Sequence, residues 1–150
     1  MKTTEQRIEE LQNELDKLKK DLETTNKKWK PEYKDDYWFV EDIGFVHNNK
    51  WRNDDFDDFR YSQRNCFKTE EEAQTHLKRL EIEAWLNDHT KEFDVNKYST
   101  NYFLYYNHNF DEVIVDCFAY SQYNKWCMTE ENCKKAIDKF GNDLKLVLTL

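Results

Sequence analysis

Ile8, Leu11, Leu15, Leu18 and Leu22 recur at intervals of three and four residues, the apolar seam of a heptad. The spacing predicts a coiled-coil helix over residues 1–28, opened by Thr3 with Gln6 three positions later as a capping box. In this register Glu14 falls at g and Lys19 at the following e, an attractive pair across a parallel homodimer. Leucine dominates the seam and no seam Asn sets the strand number, so a homodimer is the expectation rather than a requirement. Three heptads are marginal alone, and an amphipathic helix folded back on its own domain is the alternative. Pro31 ends the segment, because the residue before a proline avoids helical backbone.

Beyond Pro31 the apolar pattern is written twice. Tyr37-Trp38-Phe39-Val40 corresponds to Tyr102-Phe103-Leu104-Tyr105. Phe59, Tyr61, Ser62, Gln63 and Asn65 correspond to Phe118, Tyr120, Ser121, Gln122 and Asn124, and Thr69-Glu70-Glu71 to Thr129-Glu130-Glu131. Aromatic and β-branched runs favour strands, and "EDIG" and "NHN" carry turn chemistry. Each doubled phrase reads as a third strand leading into a helix, with Thr69 and Thr129 as N-caps and Thr69-x-x-Glu72 as a capping box. Ala73, Leu77, Leu80 and Ala84 trace one face of the first helix; Cys133, Ile137 and Phe140 trace the second. The tail "DLKLVLTL" reads as a last strand. The expected architecture is therefore α+β: a coiled-coil helix (1–28), then two duplicated βββα units (29–90 and 91–150). Neither unit is large enough to cover its own sheet, so they should pack as one pseudo-symmetric domain.

Aromatic residues make up 16% of the chain, enough to build a core despite 36% charged residues. No run of about 18 apolar residues is present to span a bilayer, and no secretory signal pattern opens the chain. Cysteines 66, 117, 127 and 133 form no C-x-x-C pair and read as buried thiols without disulfides. The four histidines are scattered, so no zinc site is expected. Gly44 and Gly141 stand alone, which excludes a Gly-rich phosphate loop, and no nucleophile elbow is present. The chain reads as a non-enzymatic protein without cofactor or metal. A net charge of −8 argues against direct nucleic-acid binding, which needs a basic footprint.

Two features of the first unit could carry binding. "NDDFDDF" places Asp54, Asp55, Asp57 and Asp58 in the densest charge cluster, a solvated acidic loop or a patch for a basic protein surface. Arg52, Arg60 and Arg64 fall within thirteen residues, beside Trp51 and Tyr61. Arginine forks and aromatic faces also suit a phosphate or nucleotide; the competing reading pairs these arginines with the adjacent aspartates as surface salt bridges. The second unit has Ala119 and Tyr123 where the first has Arg60 and Arg64. Trp51 to Arg64 is therefore the candidate contact surface.

Several stretches together resemble the uncharacterised accessory proteins encoded by phages and prophages of Gram-positive bacteria. They are the short N-terminal heptad, Trp29-Lys30-Pro31, Tyr37–Val40, the phrase from Asn65 to Ala73, and "FGNDLKL" from Phe140 to Leu146. The resemblance spans nearly the whole chain, but its motifs are structural. It implies a phage origin and a host-facing role in the host cytoplasm. Small phage proteins of that kind include inhibitors that bind a host defence protein and sponges for nucleotide immune signals. The first is the expected function; a nucleotide sponge and a structural or regulatory phage protein are the alternatives.

Overall fold

The computed structural model describes residues 7, 11–16, 29–42, 44–96, 101–117 and 126–149. Of the heptad seam, Ile8, Leu18 and Leu22 lie outside the described residues. Residues 11–16 are helical, and Leu11 and Leu15 stand exposed there.

Strand β1 (Asp36–Val40) pairs antiparallel with β2 (Val46–Lys50). Its alternation buries Tyr37 and Phe39 on one face, as a half-buried strand requires. Gly44 closes the turn at φ 83°, a conformation that glycine adopts without a Cβ clash. Helix α1 (Asp55–Ser62) follows directly. Asp54 caps it by accepting from the Asp57 N–H, and Asp55, Asp57 and Asp58 occupy the positive first turn. Beyond it the expected third strand shrinks to a single antiparallel pairing. Trp38 N–H donates to the Phe67 carbonyl at 2.9 Å and Phe67 N–H to that of Trp38 at 2.8 Å. The Asn65 amide imitates a second strand residue, accepting from Val40 N–H at 2.8 Å and donating to Val40 O at 2.7 Å.

Helix α2 (Glu70–His89) starts at its Thr69 cap. Glu72 N–H donates to Thr69 Oγ1, while the Glu72 carboxylate reaches one residue further back than a capping box requires, to Lys68 N–H. A second antiparallel hairpin follows, β3 (Tyr102–Asn107) and β4 (Glu112–Cys117). Tyr102 exchanges backbone bonds with Met128, just before the Thr129-capped helix α3 (Glu130–Phe140). A 3₁₀ turn (Gly141–Leu144) and a short helix α4 (Lys145–Leu148) close the described chain.

The architecture is mixed α+β with two small two-stranded sheets, and three local expectations are corrected. Phe59, Tyr61 and Ser62 lie in α1 rather than in a strand, and the corresponding residues 118–125 are outside the described set. Asp54 and the first-turn aspartates stabilise helix locally, and this outweighs the aromatic β preference of the phrase. The tail is helical, not extended: Leu144 and Val147, three positions apart, are buried, whereas Lys145 is exposed. On α2 the buried residues are Ala73, Ile82 and Leu86, while Leu80 and Ala84 face solvent. Ala73 and Ile82 are nine positions apart, about 180° around a helix of 3.6 residues per turn. The helix thus packs on opposite sides at its two ends.

Most of the buried apolar residues gather in two clusters. One joins Tyr37, Phe39, Trp51 and Cys66, with Trp29 and Tyr61 against them. The other gathers Ile82 and Leu86 of α2 with Leu104, Trp126, Met128, Cys133, Ala136, Phe140, Leu144 and Val147. Helix α2 contacts both strands of the first hairpin, and its Ile82 and Leu86 join the second cluster.

Candidate functional site

Helix α1 divides the sequence-predicted site residues into an inner and an outer set. Asp57, only 1% exposed, turns its carboxylate into the first cluster. It accepts from the Tyr37 hydroxyl at 2.7 Å and from the backbone N–H of Arg52. Arg60 Nη1 donates to the Tyr37 hydroxyl at 2.8 Å, and its guanidinium lies 3.8 Å from the Phe39 ring centroid. Burial first, then the bond to Asp57, pushes the Tyr37 phenol up to about 12, with Arg60 opposing.

Trp51 is fully buried, edge-on to Tyr37 and Tyr61, and its indole N–H donates to Asn53 Oδ1 at 2.6 Å. Lys30 closes this side. Its ammonium sits 5.3 Å from the Trp51 ring and 5.2 Å from that of Tyr61, and 3.3 Å from Asp58 Oδ1. Asp54 is committed to capping. Trp51, Asp57 and Arg60 therefore hold the helix in place, where the sequence had offered them as contact residues.

The outer set comprises Arg52, Asp55, Asp58 and Arg64, all exposed. Phe56 and Phe59 join them, 73% and 63% exposed and three residues apart on one helical face. Sequence reasoning missed both. Reading "NDDFDDF" as a loop hid the spacing, though Asp54 with acidic residues in the next turn is a helix-start signal.

Arg52 precedes the cap and Arg64 follows the C-terminus, so a helix of about 12 Å separates them. Neither forms an ion pair among the described residues, and the expected pairing with the neighbouring aspartates is not seen; Asp58 pairs with Lys30 instead. Because Arg60 is turned inward, the three arginines do not converge on one phosphate.

The ends of α1 are held by unusual backbone. Asn65 N–H donates to Arg60 O and Arg64 N–H to Tyr61 O, a Schellman motif with Arg64 at φ 58° in the position that favours glycine. Asn53 and Lys34, which adjoin the other end through the bond from Lys34 N–H to Trp51 O, also take positive φ.

No disulfide joins the cysteines; Cys66, Cys127 and Cys133 are buried, whereas Cys117 is exposed at the end of β4, contrary to expectation. Burial pushes the Cys133 thiol up to about 12. Among the described residues no cluster of His, Cys, Asp and Glu could hold a metal ion, and no helix is long and apolar enough to cross a membrane. No family model, curated protein or solved structure matches the chain.

Proposed function

We propose that this is a non-enzymatic binding protein whose contact element is helix α1. The observation that carries the reading is the orientation of α1: a buried polar network fixes one face while Phe56 and Phe59 are held out in solvent on the other. An amphipathic helix presented in this way suits insertion into an apolar groove of a partner protein. Asp55 and Asp58 beside the phenyl rings, with a chain net charge of −8, favour a groove with a basic rim. The resemblance to phage accessory proteins supplies the setting, an inhibitor acting on a host defence protein in the host cytoplasm.

The N-terminal heptad joins two copies in this reading, supported by Leu11 and Leu15 standing 60% and 52% exposed. A duplicated origin for the two halves is supported by the common order of hairpin, single antiparallel pairing and Thr-capped helix. The separation of Arg52 from Arg64 and the inward turn of Arg60 disfavour a nucleotide sponge.

Capture from a Gram-positive host lysate tests the proposal, comparing the native chain with Phe56→Asp/Phe59→Asp. A protein retained by the first and lost by the second supports α1 docking. Equal capture by both, or thermal stabilisation of the native chain by pooled nucleotides with no protein retained, contradicts it.

A further inference from the structure

The outward face of α1 is an apolar patch that a free protein gains by covering, and its own charges indicate the cover. Asp54 and Asp55, with Arg52 just before them, leave the N-terminal end of the helix net acidic, and Arg64 lies just past its C-terminal end. Two such helices packed antiparallel about a dyad bring each Arg64 beside the other copy's Asp54 and Asp55. The same arrangement sets Phe56 and Phe59 against their counterparts, and the two helix dipoles run in opposition, which is also favourable.

Size decides what else is needed. Aromatic side chains of about 150–250 Å², at the exposures of Phe56 and Phe59, offer roughly 200–350 Å² per copy. A stable interface buries roughly 800 Å² per partner, so α1 alone does not hold two copies together. The heptad pairing proposed above would supply a tether. The residues that leave the heptad are pinned to α1: Lys30 pairs with Asp58 and lies over Trp51 and Tyr61, and Trp29 packs against the same cluster. Copies joined at the heptad would hold their α1 helices at an effective concentration of about millimolar, where a small contact suffices.

We propose that the α1 faces of two copies pair antiparallel in the free protein, completing a homodimer contact begun by the heptad. The self-contact covers the docking face until a partner displaces it, and in this regulatory sense the inference rests on the docking reading above.

Sedimentation of the full chain tests it through the dimer dissociation constant. Phe56→Asp/Phe59→Asp should weaken the dimer at least about tenfold. Asp55→Arg and Arg64→Asp should each weaken it about five- to tenfold, and the double reversal should return it to within about threefold of native. That recovery separates a charge contact from a folding defect. A monomeric full chain, a dimer indifferent to these changes, or reversals that do not rescue one another would overturn the proposal. Lysate capture with the Phe variant judges the docking reading separately. Capture lost with the dimer intact overturns only the self-contact, and a weakened dimer with capture retained overturns only the docking.

Discussion

Tyr37 links the inner face of α1 to solution conditions. Its phenol ionises near 10 when exposed and is pushed up to about 12 in the fold, first by burial and then by its bond to Asp57. The folded chain therefore holds this proton more tightly than the unfolded chain does. The resulting stabilisation is complete below pH 10 and is lost as pH rises through 12. Burial of the Cys133 thiol, raised from 9.0 to about 12, acts in the same direction from pH 9 upward. Urea unfolding between pH 8 and 11.5 should thus show a steady loss of stability, less steep in Tyr37→Phe; a flat profile would contradict the buried network. Arg64 offers the opposite kind of test. An L-residue at φ 58° is strained by about 1–2 kcal/mol, so Arg64→Gly should raise stability by about 0.5–1 kcal/mol after the entropy cost of glycine. A lower melting temperature would mean that the side chain supports the fold.

Element starts are local, and that made them legible. Thr69 and Thr129 cap α2 and α3, as their acidic followers indicated, because a cap needs only the next three residues. Thr69→Ala should cost about 0.5–2 kcal/mol in urea unfolding, and no measurable cost would remove the cap from the account. Elements whose form depends on distant partners were harder to read. Leu144, Leu146 and Leu148 alternate like a strand, yet burial of Leu144 and Val147 selects a helix. The stripe Ala73, Leu77, Leu80, Ala84 assumes one buried side, whereas the buried residues of α2, Ala73 against Ile82 and Leu86, lie on opposite sides at its two ends. In α1 the aromatic positions belong to a repeated phrase, and the repetition concealed the helix start at Asp54. The candidate segment Trp51–Arg64 turns out to be α1 and its flanks. Which side chains faced out was not legible, because it depends on Tyr37 and Phe39, strand residues some twenty positions earlier.

At the scale of the molecule, α2 connects the first hairpin, which α1 follows, to a second hairpin with the larger apolar cluster. This arrangement separates stability from contact. Core residues such as Ile82, Leu86 and Met128 are fully buried, while Phe56 and Phe59 are mostly exposed. Surface positions of that kind usually change stability by less than about 0.5 kcal/mol, which allows binding to be altered without unfolding the protein. The most direct measurement is therefore the affinity of Phe56→Ala/Phe59→Ala for a protein that the native chain retains in the lysate capture proposed above, taken together with its thermal midpoint. The account predicts an affinity loss of at least about tenfold with a midpoint shifted by no more than a few degrees. Undiminished affinity in a folded double variant would contradict it.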